Sequence, residues 1–231
     1  MSTREPLLVV SVLTYPSVGR SGTPLHTASV KLRRAVLTIL KNRNFDDRHK
    51  LAIERIAQRI HSQAQPQYDP QHIHRLFQED PILVPVPPHD AEIDIEETFQ
   101  GRLAKRLCDD GLGARVEYLL ERKETVRRSS RSESHERPSI RKHLNSLRWV
   151  PPRELLSRGG YALLIDDIVT SGTTLYACSS RISQHCSLNV DGLAVLQAED
   201  IGGAHPEHYP RAECIVVQPG GKWCKRVNCD G

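Results

Sequence analysis

The chain has 231 residues, 38% of them hydrophobic and 26% charged, with a formal net charge of +4; this is a globular composition, with enough length to bury a substantial core. So small a net charge does not by itself imply a nucleic-acid partner. The apolar stretch Leu7 to Leu13 is too short to span a bilayer, and Glu5 with no small-residue cleavage pattern argues against an export signal, so a cytoplasmic protein with no membrane partner is expected.

In chain order, Leu7 to Tyr15 reads as a strand that Pro16 to Pro24 breaks. Helical spacing follows over Val30 to Leu40 and again over Arg48 to Ile60, with a turn at Asn44 to Asp47, a loop at Gln63 to Pro70 and a short helix at Gln71 to Gln78. Ile82 to Val86 is a short buried strand. Glu97 to Asp109 is a helix with Phe99, Leu103 and Leu107 on one face, and Ala114 to Leu120 is the next strand. A basic, serine-rich stretch covers Arg122 to Arg148. Then come a strand (Tyr161 to Ile168), a helix (Thr173 to Gln184), a strand (Val190 to Gln197) and another at Cys214 to Gln218. Such alternation implies an α/β fold, an open twisted parallel sheet with helices on both faces. The expected organisation is residues 1–80 as an N-terminal strand and helices forming a hood, and residues 81–231 as the core.

Six cysteines in a chain expected in the cytoplasm read as reduced thiols. Cys108, Cys178, Cys186, Cys214, Cys224 and Cys229 contain no CxxC pair, so no cysteine-held metal is expected.

The densest chemistry lies in "LLIDDIVTSGTTL", residues 163–175. In an open parallel sheet ligands bind beyond the carboxyl ends of the strands, and Asp166 and Asp167 close such an apolar run. Thr170, Ser171, Gly172, Thr173 and Thr174 then lead into a helix, so amides and hydroxyls converge at a helix N-terminus, a ready anion site. Capping alone needs one such residue. Carboxylates for vicinal hydroxyls beside an amide nest for phosphate suit a phosphorylated sugar. Val84 to His89 follows another strand and lies at the same edge of the sheet. Arg127 to Lys142 is too polar to order itself without a ligand.

The pattern at Ala162 to Thr174 resembles the phosphoribosyl pyrophosphate signature of the type I phosphoribosyltransferases. The resemblance implies that Asp166 and Asp167 hold the ribose hydroxyls and that Thr170 to Thr174 bind the 5-phosphate. It implies Mg²⁺ carried mainly by the substrate and water, with Asp166 and Asp167 the candidate protein ligands. The pyrophosphate side would comprise Val86, Pro87 and His89, with Arg137 and Arg141 on a mobile basic loop that closes over it. A homodimer is compatible with the resemblance, though no stretch marks an interface. "AVLTILKNRNFDDRHKLAIERIA", "LVPVPPH", "TFQGRLAKRL", "RKHLNSL" and "LLIDDIVTSGTTLYAC", in that order, look like the ComF family, phosphoribosyltransferase-like proteins linked to DNA uptake.

The expected function is therefore transfer of phosphoribosyl from its pyrophosphate to a nitrogen acceptor. The alternative is a ComF-like module that binds phosphoribosyl pyrophosphate or a nucleotide without turnover and acts with DNA-processing partners. An acidic run, Asp90, Glu92, Asp94, Glu96 and Glu97, favours binding alone, whereas the basic loop favours catalysis. Direct nucleic-acid binding through Arg122 to Arg148 has little support, because none of the 2 tryptophans and 3 phenylalanines interleaves with it.

Overall fold

The computed structural model describes residues 6–16, 46–68, 70–126, 138–152, 159–199 and 210–229. Its main sheet has seven strands in the order β3-β2-β6-β7-β1-β8-β9: β1 (Leu7–Pro16), β2 (Ile82–Pro85), β3 (Arg115–Val116), β6 (Tyr161–Val169), β7 (Asn189–Glu199), β8 (Arg211–Val217) and β9 (Cys224–Val227). Pairing is parallel from β3 through β1 and antiparallel for β8 and β9. Two short strands, β4 (Leu120–Arg122) and β5 (Leu147–Trp149), form a separate antiparallel ribbon. The expected α/β architecture is present, with an antiparallel edge.

Helices cover both faces because β6 and its neighbours bury both faces. Leu163 and Ile165 pack with α1 (Asp47–Gln63), α2 (His72–Phe77) and α3 (Phe99–Asp109), through Ile53, Ala57, Ile60, Ile73, Leu103 and Leu107. Ala162 and Leu164 pack with α4 (Ile140–Ser146) and α5 (Thr173–Ser183), through Ile140, Leu175, Cys178 and Ile182. Strand alternation assigns the two sets to opposite faces. Asp46 starts α1 by accepting from the Arg48 and His49 amides at 3.0 and 3.2 Å, and Thr98 caps α3 by accepting from the Gly101 amide at 3.1 Å.

Several expectations are revised. The sheet crosses the boundary drawn at residue 80, since β1 lies between β7 and β8, and α1 and α2 form part of one helical layer. Ala114 to Leu120 is not one strand: β3 pairs with β2, and β4 departs to join β5. The basic stretch contains α4 and β5, because Ile140, His143, Ser146 and Leu147 supply a buried side to a segment that looks polar overall. The helix expected at Val30 to Leu40 lies outside the described residues.

The cysteines also need correction. Cys214 and Cys229 form a disulfide, with their Cα atoms 5.1 Å apart, while Cys108, Cys178, Cys186 and Cys224 are thiols. The β8–β9 hairpin is the cause: its pairing of Val217 with Cys224 and Cys214 with Val227 folds the two ends together. Among the described residues no helix is long and apolar enough to cross a membrane, and no three His, Cys, Asp or Glu side chains gather as a metal cage.

Candidate functional site

Asp166 and Asp167 lie where the sheet is paired on one side only. The β2–β6 ladder ends at Pro85 opposite Ile165, with a last bond from the Val86 amide to the Ile165 carbonyl at 2.9 Å. On the other side β6 keeps pairing with β7 through Asp166 opposite Ala194 and Val169 opposite Gln197. The aspartates therefore stand beside the end of β2, inside β6 rather than just after it. Asp166 is buried, 9% exposed, and accepts the Asp167 amide at 2.9 Å, whereas Asp167 is half-buried. Burial, and next the like charge of Asp167, push the Asp166 carboxyl well above the usual carboxylate range; the Arg122 guanidinium opposes them.

The next loop turns through Gly172, whose φ of +79° is a left-handed conformation. A Cβ there would stand 2.1 Å from Ile215 Cδ1, so the position also needs the absence of a side chain. The first helical bond of α5 runs from the Tyr176 amide to the Gly172 carbonyl at 2.9 Å. The amides of Thr173, Thr174 and Leu175 thus have no intrahelical acceptor. Gly172 supplies no capping side chain, and only a long 3.5 Å contact joins the Thr173 amide to Ser171 Oγ. The loop residues divide by role. Thr173 is 4% exposed; its Oγ1 lies 2.9 Å from Ser171 Oγ and accepts the Cys224 amide at 3.3 Å, so it braces the loop internally. Thr170 and Thr174 are half-buried, with hydroxyls that bond nothing among the described residues.

The segment after β2 lies at the same edge but has few donors to offer. The Val86 amide is committed to Ile165, its carbonyl accepts Gln100 Nε2 at 3.0 Å, and Pro87 and Pro88 have no N–H. Val86 and Pro87, expected on the pyrophosphate side, are buried, so they are wall rather than ligand donors. His89 is half-buried, and its carbonyl accepts the Val126 amide at 2.8 Å. Arg141 is exposed on α4 and makes no side-chain hydrogen bond or ion pair among the described residues, while Arg137 lies outside them.

The acidic run is largely structural. Asp94 caps a 3-10 turn by accepting the Glu96 amide at 2.9 Å, Asp90 accepts the Glu92 amide and Thr125 Oγ1 at 3.3 Å each, and Glu97 pairs with Arg102. Charges of the basic stretch are also taken up locally: Lys142 pairs with Glu124 at 2.9 Å and Arg148 with Glu121.

Arg122 is the residue that sequence reasoning passed over, counting it among surface charges. It is half-buried at the end of β4, where Nε donates to the Pro88 carbonyl at 3.2 Å, Nη1 donates to Ser146 Oγ, and Nη2 lies 3.4 Å from His143 Nδ1. Its sequence signal is slight: an arginine two residues after the apolar pair Leu119–Leu120, with Glu121 between.

No family model matches the chain, and no curated protein matches it. Similar solved structures include a hypoxanthine phosphoribosyltransferase from Staphylococcus aureus, 13% identical over 66% of this chain and 67% of that one, with a TM-score of 0.35. Another is the hypoxanthine phosphoribosyl transferase of Trypanosoma cruzi, 18% identical over 67% of this chain and 70% of that one, with a TM-score of 0.35.

Proposed function

We propose that the protein binds 5-phosphoribosyl 1-pyrophosphate with Mg²⁺ and transfers the phosphoribosyl group to a nitrogen acceptor. The observation that carries this reading is the buried Asp166 beside the half-buried Asp167, followed shortly by an uncapped helix N-terminus at Gly172. The amides of Thr173 to Leu175 would take the 5-phosphate, with the Thr170 and Thr174 hydroxyls beside them. Asp166 and Asp167 would accept from the ribose hydroxyls. Mg²⁺, which prefers oxygen ligands and keeps much of its water, would be held mainly by substrate oxygens, with the two aspartates the only nearby protein carboxylates the reading requires. When bound it would supply positive charge against the leaving pyrophosphate. In the transfer the acceptor nitrogen bonds to the anomeric carbon, the bond from that carbon to pyrophosphate oxygen breaks with its electron pair leaving on pyrophosphate, and the acceptor loses a proton to solvent.

A second reading, a ComF-like module that binds the same ligand or a nucleotide without turnover and serves DNA-processing partners, is favoured by one observation: the donor-poor segment from Val86 to Pro88. Isothermal titration with phosphoribosyl pyrophosphate, with and without Mg²⁺, tests the shared part. Binding that needs Mg²⁺ and disappears in Asp166→Asn/Asp167→Asn is expected; a folded wild type that binds nothing sinks both forms of the pyrophosphate reading. Release of pyrophosphate with a panel of nitrogen acceptors then separates enzyme from module.

A further inference from the structure

Arg122 joins three parts of the molecule that the chain separates: the segment after β2, the β4–β5 ribbon that carries it, and α4. Its acceptors are the Pro88 carbonyl, Ser146 Oγ and His143 Nδ1. All are neutral, and no carboxylate lies within ion-pair distance of it among the described residues. A half-buried guanidinium usually finds a carboxylate there, because desolvating the charge is costly otherwise. The acceptors themselves are held in place. Ser146 Oγ donates to the His143 carbonyl at 2.7 Å, and the Ser146 carbonyl accepts the Lys123 amide at 2.8 Å. A guanidinium only donates, so His143 Nδ1 accepts and the ring proton sits on Nε2, a buried atom without a partner. His143 is 3% exposed, and burial together with Arg122 pushes its pKa down to about 4, which keeps it an acceptor at neutral pH. The segment held in this way is the one that ends β2 beside Ile165, next to Asp166.

We propose that Arg122 is a positioning residue for the pyrophosphate side of the pocket, tying the Pro88 segment to α4 and leaving there a fixed positive charge that makes no ion pair among the described residues. This rests on the proposed ligand and adds what the donor-poor Val86 to Pro88 segment lacks. The fixed charge favours the more anionic ligand, and the tie holds the wall against which a pyrophosphate would lie. The 5-phosphate loop is anchored elsewhere, through Thr173 and Cys224.

The test compares wild type, Arg122→Met and Arg122→Lys by titration with Mg²⁺–phosphoribosyl pyrophosphate and with ribose 5-phosphate, and by hydrogen exchange of the peptide spanning residues 86–98 without ligand. Loss of a charge-assisted tie predicts that Arg122→Met weakens the pyrophosphate ligand about tenfold or more while ribose 5-phosphate changes by less than about threefold. Exchange in the peptide should quicken about tenfold. Arg122→Lys should recover part of the pyrophosphate affinity, because it keeps the charge and loses the fork. Equal loss for both ligands, or unchanged exchange, overturns the inference. Should the wild type bind neither ligand, the proposed function fails and the exchange decides alone: faster exchange in Arg122→Met keeps Arg122 as the tie of this wall, and unchanged exchange removes it.

Discussion

Replacing Gly172 with alanine strains the candidate phosphate loop in two separable ways. The backbone there has a φ of +79°, which costs an L-residue with a side chain about 1–2 kcal/mol. The new Cβ would lie 2.1 Å from Ile215 Cδ1 and 2.6 Å from Cγ1, and Ile215 is fully buried, so it has little room to retreat. Overpacking of that kind costs about 1–3 kcal/mol. The sum is about 2–5 kcal/mol, and for a chain of this size about 3 kcal/mol lowers Tm by roughly 6–12 °C. Urea unfolding followed by circular dichroism, on wild type, Gly172→Ala, Ile215→Ala and the double variant, separates the two parts. Ile215→Ala alone should cost about 2–5 kcal/mol for its lost burial. The double variant should lose less than the sum of the singles by about 1 kcal/mol or more, since the truncated side chain makes room for the new methyl. Losses that add to within about 0.5 kcal/mol would refute the packing argument, because independent sites add.

Acid should destabilise the protein through His143. Its pKa falls from 6.5 unfolded to about 4 folded, so the unfolded chain binds the extra proton in that window, and a stabilisation of about 3 kcal/mol, complete above pH 6.5, disappears as the pH drops towards 4. Urea midpoints across that range should fall less steeply in His143→Gln; identical slopes would sink the assignment. The Cys214–Cys229 disulfide closes a separation of 15 residues, so Cys229→Ser should cost about 3 kcal/mol on chain-entropy grounds, read as a lower Tm that reductant no longer changes. Cys178 and Cys224 are buried, with pKa values pushed up to about 12 chiefly by burial, so alkylation at pH 8 followed by peptide mapping should label Cys108 and Cys186 first. Early labelling of Cys178 would contradict its place on the buried face of α5.

What could be read from the sequence tracks how strongly local pattern and burial agree. Tyr161 to Val169 is apolar on both faces and runs into Thr170 to Thr174, so strand, turn and helix follow one another with little competition. The place of the aspartates was legible for the same reason. That β6 continues past them was not, because their polarity looks like a strand end while pairing with β7 persists. Segment 140–149 hid because its buried positions are few and set among arginine, lysine and asparagine. Arg122 hid because an arginine's partners are tertiary: Pro88, His143 and Ser146 are distant in the chain. The acidic run suggested repulsion of a pyrophosphate, yet Asp90 and Asp94 serve turns and a cap, a role that spacing alone does not separate from a charged patch. The disulfide was missed because compartment was weighed rather than geometry, although Pro219, Gly220 and Gly221 mark the hairpin that brings Cys214 and Cys229 together.

The place of β1 in the sheet governs when the fold can be completed. Its partners on either side are β7 and β8, and the bond from Ser11 Oγ to Gln197 Oε1 spans 186 residues. During synthesis β1 therefore emerges well before either of its neighbours, β7 and β8. Until residues near 215 have left the ribosome, an apolar strand with both edges open must wait, and an unpaired edge is a template for association with other chains. The order of strands makes this a protein whose sheet is completed only after the β8–β9 hairpin has been made, and chains cut before that hairpin should be recovered as insoluble material.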